Sequence, residues 1–172
     1  MFRKAEPRDL EAIAAIYDRI HDEEESGRVT IGWDRAVYPT RATALSSIQT
    51  GDMYVEEVDG VIVAAAKINQ EQVPEYANAQ WQWEASDEEI LVLHTLVVDP
   101  HLNRGGYGKA FVAFYEEMAR DMGCPYLRMD TNVRNTVARS LYKGLGYAEV
   151  GVVPCLFNGI PGVNLVCLEK KV

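Results

Sequence analysis

The segment that most constrains the fold starts with a nearly continuous apolar run at residues 90–98, which only His94 and Thr95 interrupt. A run of this length and composition is typical of a central strand that is covered on both faces. A loop at residues 99–104 leads into the cluster Gly-Gly-Tyr-Gly at residues 105–108, and an amphipathic helix follows. A glycine loop between a strand and a helix start directs several backbone N–H groups at one point. The unit therefore predicts an anion-binding site.

The ligand of this loop is predicted to carry phosphate, because Arg104 and Lys109 flank the glycines and supply full positive charges. A Walker A loop is excluded, since Asn103 stands at its first glycine position and neither Ser nor Thr follows Lys109. A dinucleotide-binding fingerprint fits poorly, because Phe111 takes the place of its third glycine. A nicotinamide-dependent Rossmann enzyme, with Asp130 as its ribose-binding acid, remains the less favoured alternative.

The rest of the chain predicts further strands and helices around this unit. Asp59-Gly60 joins two apolar segments and predicts a tight hairpin turn, because its central residues need positive φ. Gly123 suits the end of a helix, and Asn132 or Asn135 can cap the start of the next. Strands are predicted at residues 2–5, 53–58, 61–68, 126–129, 147–153 and 164–170. Helices are predicted at residues 7–25, 42–48, 107–122 and up to about 142, with a long polar loop or ragged strand extension at 69–89.

This order of elements predicts an α/β fold, with an α+β mixed sheet and helices on its faces. No internal repeat or linker divides the sequence, so a single domain over residues 1–172 is expected. The formal net charge of −9 disfavours binding to nucleic acid. No segment approaches the roughly 20 apolar residues of a membrane span, and the polar amino terminus shows no signal peptide. The cysteines and histidines lack metal-ligand spacing, so we expect no metal and a reducing cytoplasm.

Two motifs in this chain resemble those of the GNAT superfamily, the acyl-coenzyme A–dependent N-acetyltransferases. The first is the glycine loop from Asn103 to Gly108, although Asn103 stands where the family usually has Gln or Arg. The second matches the family's Asn-x-x-Ala-x-x-Leu-Tyr and Gly-Tyr/Phe segments at Asn135, Ala138, Leu141, Tyr142, Gly146 and Tyr147. The resemblance implies a mixed, mostly antiparallel sheet that splays between the strands at 90–98 and 126–129 to form a coenzyme A cleft.

The resemblance also implies a reaction and the residues that perform it. The chain would move an acetyl group from the cosubstrate acetyl-CoA to a primary amine, by direct attack in a ternary complex. Tyr142 would donate a proton to the leaving thiolate; it lies seven residues after Asn135, so both would face one side of a helix. The implied coenzyme-binding residues are Leu96, Val97, Val98, Arg104, Gly105, Gly106, Tyr107, Gly108, Lys109 and Asn135.

His94 is the candidate general base, because its ordinary pKa of about 6.5 suits the removal of a proton from an amine. Strand periodicity places it on the face of Val92, Leu96 and Val98. Some relatives instead use a glutamate near the start of this strand, where this chain has Val92. The alternative interpretation of His94 is a core histidine with a satisfied hydrogen bond.

Recognition of the amine is predicted in the segments that lie outside the two motifs. Trp33, Tyr38 and Glu25 could hold an ammonium group by cation–π contact and ion pairing. A solvated acidic helix end beside packed loop aromatics explains the same residues equally well. A non-catalytic module that senses acyl-CoA is the alternative function, and the apolar residues 152–163 could form the edge of a homodimer. The identity of the acceptor stays open.

Overall fold

The computed structural model describes residues 1–102 and 105–172, so the predicted phosphate contact of Arg104 lies outside the described residues. Within these ranges no helix is long and apolar enough to cross a membrane. The strands are β1 (Phe2–Lys4), β2 (Met53–Val58), β3 (Val61–Asn69), β4 (Ile90–Val98), β5 (Tyr126–Asn132), β6 (Ala148–Phe157) and β7 (Ile160–Lys171). The helices are α1 (Leu10–Glu25), α2 (Arg41–Gln49), α3 (Tyr107–Met122) and α4 (Thr136–Gly144).

The strands form one sheet in the order β1-β2-β3-β4-β5-β7-β6. Every neighbouring pair is antiparallel except β4 and β5, which are parallel. Apolar side chains of α1 and α2 pack on one face of the sheet, whereas those of α3 and α4 pack on the other. This arrangement confirms the predicted mixed sheet with helices on both faces.

Strands β4 and β5 separate after a short paired stretch. Ile90–Leu93 of β4 pairs with residues 126–129, but β5 continues to Asn132 beside β7 alone. From Thr95 onward, the edge of β4 that faces β5 has no strand partner within the described chain. The sheet is therefore splayed at the place that the resemblance implies, and a cleft opens between the two strands.

A β-bulge at Thr95 changes which side chains share a face of β4. Thr95 has a φ of 53°, and the register against β3 gains one residue on β4 between His94 and Val97. Leu96 and Val98 consequently pack towards α3 and α4, while His94 stays on the opposite face with Val92. The prediction that His94 shares a face with Leu96 and Val98 is therefore wrong, because strict alternation does not survive a bulge.

The connection between β3 and β4, residues 70–89, folds over the β5 and β7 side of the sheet. It contains two short 3₁₀ turns and no strand, so the predicted loop is confirmed and the strand extension is not. Arg128 of β5 holds this connection: its Nη1 donates to Oε1 of Gln72 at 2.6 Å and its Nη2 to the carbonyl of Trp83 at 2.9 Å. The charge of the buried guanidinium is compensated by Glu169 of β7, whose Oε1 lies 3.4 Å from Nη2 of Arg128. The connection is thus anchored to the sheet.

The final hairpin is longer than the sequence analysis predicts. Strands β6 and β7 continue to a turn at Asn158 and Gly159, whose φ values are 47° and 94°. Asp59 and Gly60, at 50° and 79°, form the same kind of turn between β2 and β3, as predicted. The Asn-Gly dipeptide was an equally strong signal that the sequence analysis missed. Strand β6 lies at the edge of the sheet, where Leu156 is 64% exposed.

Candidate active site

The glycine loop forms an open cradle at the start of α3. Gly106 lies just before the helix with a φ of 68°, and a Cβ at this position would meet nothing within 4 Å. The first helical hydrogen bond runs from the amide of Ala110 to the carbonyl of Gly106. The N–H groups of Tyr107, Gly108 and Lys109 precede it, so they are free of helical partners. These amides, together with the helix dipole, suit an anionic group.

A groove of about 480 Å³ runs from this cradle towards the splay. The end of β4, residues 96–98, forms one wall, and Trp33 of the α1–α2 connection contributes to another. The two outer glycines permit close packing: a Cβ on Gly105 would lie 2.2 Å from the ring of Tyr107, and one on Gly108 would lie 3.4 Å from Leu141. The anion-binding cradle therefore opens directly into an apolar groove. The two together fit a ligand in which a phosphate group is joined to an extended arm.

A small cavity of about 60 Å³ occupies the splay itself and joins two larger spaces. It shares Trp33 and Leu96 with the groove that begins at the glycine cradle. It shares Thr95 and Asp130 with a second cavity of about 340 Å³ on the other side of the sheet. A group that arrives through the groove can therefore meet one that arrives through the second cavity, which we call the acceptor cavity.

Tyr142 of α4 lines the splay cavity. Its side chain is buried, and burial raises the pKa of the phenol well above its usual value. Because its pKa is raised, the hydroxyl keeps its proton at neutral pH and can donate it into the cavity. The predicted proton donor is in a protonated state and beside the splay.

Asn135 begins α4 rather than lying on its face. Its Oδ1 accepts a hydrogen bond of 3.1 Å from the amide of Ala138, which confirms it as the helix N-cap. The cap uses the oxygen and leaves the Nδ2 group of the amide for other partners. A contact between Asn135 and a coenzyme arm, which the resemblance implies, would therefore use Nδ2.

Asp130 of β5 is the functional candidate that the sequence analysis missed as an acid–base group. It lines both the splay cavity and the acceptor cavity. Its Oδ2 accepts a hydrogen bond of 2.7 Å from the hydroxyl of Tyr76, while burial raises its pKa to about 6. A carboxylate with such a pKa can hold and release a proton near neutrality. The available signal was an acid that directly follows the predicted strand at residues 126–129.

The acceptor cavity is lined by hydroxyl, amide and charged side chains. Tyr38 enters it from the α1–α2 connection, and its hydroxyl pairs with the Oγ1 of Thr95. Burial raises the pKa of Tyr38 to about 12, so its phenol is neutral. Lys67 and Glu71 form an ion pair of 3.2 Å at the wall.

The described residues contain no cluster of three His, Cys, Asp or Glu side chains that could hold a metal ion.

His94 also lines the acceptor cavity, in contact with Asn69. Its Nε2 lies 3.0 Å from Oδ1 of Asn69, whose Nδ2 in turn donates to Asp52. This chain of bonds assigns the proton to Nε2 of His94. Burial lowers the pKa of His94 to about 4, and the nearby cation of Lys67 acts in the same direction. His94 is therefore neutral at pH 7 and a weak base.

The three predicted acceptor-binding residues lie in different places. Trp33 lines the groove and the splay cavity, and its ring contacts that of Tyr38 at 6.1 Å. Glu25 lines neither cavity of the site: its carboxylate pairs with Arg35 at 2.9 Å on the surface. Arg35 also pairs with Asp22, so the acidic end of α1 is largely neutralised by its own neighbours. Only the aromatic members of the predicted set reach the site.

The fold and the cavities together suit an enzyme that brings two ligands to one point in a splayed sheet. A model of the acetyltransferase (GNAT) family matches residues 13–147. The chain belongs to this family and is an acetyltransferase, so the Rossmann alternative is wrong. No curated protein matches the chain significantly.

Solved structures from several bacteria share this fold. A GNAT acetyltransferase from Streptococcus agalactiae superposes with a TM-score of 0.82 at 21% identity, covering 100% of this chain and 95% of its own. A ribosomal-protein-alanine N-acetyltransferase from Brucella melitensis gives 0.71 at 19% identity, with coverages of 100% and 99%. A structure from Salmonella typhimurium with its cofactor acetyl-CoA gives 0.69 at 17% identity, with coverages of 99% and 92%. At these identities the likeness shows the fold.

Proposed function

We propose that the chain, as a single domain over residues 1–172, transfers an acetyl group from acetyl-CoA to the primary amine of a small molecule. The observation that carries this proposal is the meeting of two spaces at the splay. The groove from the glycine cradle and the acceptor cavity both reach the small cavity between β4 and β5. Tyr142 and Asp130 line that junction, so a proton donor and a proton acceptor flank the point where the ligands would meet.

The residues of the groove suit acetyl-CoA. The amides at Tyr107, Gly108 and Lys109, with the Lys109 ammonium and Arg104, would hold its phosphates. The unpaired edge of β4 at residues 96–98 would pair with its extended arm, as an added strand would. The bound cosubstrate would supply the thioester whose carbonyl carbon the amine attacks. An amide of the β4 edge would polarise that carbonyl.

Two side chains at the junction would each carry out one proton transfer, Asp130 as the base and Tyr142 as the acid. Asp130 would take a proton from the acceptor ammonium, and the freed amine would form the new C–N bond as the C–S bond breaks. Tyr142 would give its proton to the departing sulfur, and the second proton that the nitrogen loses would restore the Tyr142 phenol. Asp130 suits the first step better than His94, because its pKa is about 6 and that of His94 is about 4. Direct transfer in a ternary complex needs no covalent acyl-enzyme.

The acceptor is proposed to be a small molecule, because the acceptor cavity has a roof. The ring of Tyr38 contacts that of Phe157 at 5.4 Å, and a Cβ on Gly159 would lie 3.1 Å from Val37. These contacts join the α1–α2 connection to the β6–β7 turn. The remaining space of about 340 Å³ is at the lower end of the range for small-molecule sites.

An amine panel with detection of the released thiol tests the proposal. Small primary amines should release coenzyme A in the presence of acetyl-CoA, and mass spectrometry should find each product heavier by one acetyl group. Acetylation of peptide amino termini alone would contradict a small acceptor. Binding of acetyl-CoA with no transfer to any amine would instead favour the sensor module.

A further inference from the structure

The β3–β4 connection reaches into the site through Tyr76, and we propose that Tyr76 positions the Asp130 carboxylate for proton removal. This inference rests on the proposed function. The hydroxyl of Tyr76 donates a hydrogen bond of 2.7 Å to Oδ2 of Asp130, and the Tyr76 side chain is 2% exposed. Oδ1 of Asp130 has no hydrogen-bond partner among the described residues, although Asp130 lines the acceptor cavity. One oxygen is thus held, and the other is left for the amine.

Tyr76 is itself fixed by packing and hydrogen bonds. Its carbonyl accepts a bond of 2.9 Å from Nε1 of Trp81, and the two rings lie 5.1 Å apart. The guanidinium of Arg128 lies over the Trp81 ring at 4.2 Å and pairs with Glu169. Arg128 and Asp130 are two residues apart on β5, so they point to the same face. The β3–β4 connection therefore contacts β5 through two side chains on the same face, Arg128 and Asp130.

The bond has a definite effect on the proton affinity of Asp130. A donor to the ionised carboxylate lowers its pKa, while burial raises it, and the balance lies at about 6. The surrounding titratable groups are mostly neutral at pH 7, and Glu75 is the nearby acid that raises the pKa further. The other groups that interact with the Asp130 charge are Tyr38 from the α1–α2 connection, Tyr142 from α4, Cys155 from β6 and Cys167 from β7.

The experiment compares Tyr76→Phe with the control Tyr126→Phe. Tyr126 lies in the same cluster of side chains and stacks on Trp83, but its hydroxyl does not contact Asp130. Carbon-13 NMR of labelled aspartate gives the pKa of Asp130 without any need for activity. In Tyr76→Phe we expect this pKa to rise by about one pH unit. In Tyr126→Phe it should match that of the wild type.

The rate profile supplies the second readout. The ascending limb of kcat/KM should move to higher pH in Tyr76→Phe, with about fivefold lower activity at pH 6 and near-normal activity at pH 9. Uniform loss at every pH would show a merely structural role and overturn the proposal. An unshifted NMR titration would overturn the role of Tyr76 alone. A shifted titration with an unshifted rate profile would overturn Asp130 as the base, and the positioning role with it.

A second variant covers the case in which Tyr76→Phe does not fold. Trp81→Phe removes the hydrogen bond to the Tyr76 carbonyl but keeps the Tyr76 hydroxyl. The loosened tyrosine should give a smaller rise of the Asp130 pKa in the same direction. In that case, an Asp130 pKa in Trp81→Phe equal to that of the wild type would contradict the proposal.

Discussion

Gly32 and Asn132 are in direct contact: a Cβ built on Gly32 would lie 2.3 Å from Nδ2 of Asn132. The contact brings the α1–α2 connection against the end of β5. Glu24 fixes the same point, because its carboxylate accepts a 3.0 Å bond from the Gly32 amide. Trp33 follows immediately and lines the splay cavity. The close approach at Gly32 therefore sets the position of one wall of the site.

Gly32→Ala should disturb this wall, because the amide of Asn132 must turn away to make room for the new methyl group. We expect kcat/KM for the amine to fall by about threefold to tenfold, with the larger loss if the connection that carries Trp33 also moves. Gly27→Ala is the matched control, because Gly27 has a similar φ of 75° but nothing within 4 Å of its Cβ position. Both variants carry backbone strain, and only Gly32→Ala adds a clash. Equal kinetic constants for the two would show that the contact does not shape the site.

Tyr142→Phe should slow turnover with little effect on the binding of coenzyme A. The variant removes the proton donor but keeps the buried ring, so kcat should fall about 100-fold. The Kd for coenzyme A, measured by calorimetry, should change less than threefold. Tyr147→Phe serves as control, since its hydroxyl contacts Glu116 and lines neither cavity of the site. An unchanged kcat in Tyr142→Phe would remove Tyr142 as the acid.

Asp130→Asn should lower the activity and raise the free energy of unfolding at pH 8. Because burial raises the folded-state pKa to about 6, the stabilising effect of a protonated Asp130 is full below about pH 4 and lost as the pH rises through 6. Asparagine carries no charge, so at pH 8 the variant should unfold with a free energy higher by about 1–3 kcal/mol. Urea titrations at pH 8 and pH 4 measure the gain, which should vanish at pH 4. Activity should fall at least 100-fold, and a fully active variant would exclude Asp130 as the base.

His94→Gln distinguishes the two candidate bases. Glutamine keeps a donor that can reach Asn69, so the hydrogen bond of His94 can be replaced. With the His94 pKa at about 4 and that of Asp130 at about 6, the ascending limb of the rate profile should lie near pH 6 and survive the substitution. A limb that disappears in His94→Gln would restore the histidine as the base, as the sequence analysis predicts.

Coenzyme A should stabilise the chain through the glycine cradle. At 100 times its Kd a ligand adds about 2.7 kcal/mol, which corresponds to a rise in melting temperature of about 5–10 °C at this size. Lys109→Ala should reduce the rise at equal ligand concentration, since Lys109 lies in the groove. Lys171→Ala, whose side chain lies over Tyr126, is the control. The absence of any shift at millimolar coenzyme A would contradict the site.

The sequence predicted those parts of the fold that depend on local signals. The apolar run of β4, the Asp59-Gly60 turn and the Asn135 cap each follow from neighbouring residues, and each is confirmed. The left-handed conformation of Thr95 could not be predicted, because a β-branched residue adopts it only when pairing between strands imposes it. The prediction that Leu96 and Val98 share a face with His94 was therefore wrong.

The candidate site divides in the same way. The glycine cradle could be predicted, because a backbone that turns sharply and approaches its neighbours closely requires glycine, and glycines are visible in the sequence. The role of Asp130 depends on burial and on Tyr76, 54 residues away in the chain. The surface pairing of Glu25 with Arg35 depends on how the α1–α2 connection returns to the helix. Contacts of this kind are set by tertiary structure, and periodicity does not report them.

The splay between β4 and β5 also makes the sheet mechanically divisible. In the described chain, the strands β1 to β4 are joined to β5, β6 and β7 by backbone pairing at residues 90–93 alone. The amides of Leu96 and Val98 on the open edge should exchange with deuterium freely until a ligand pairs with them, whereas the amide of Val97 lies on the side that pairs with β3. A bound coenzyme arm would then connect the two halves of the sheet. Slower deuterium exchange in β4 and β5 on binding would measure how far the arm rigidifies the sheet.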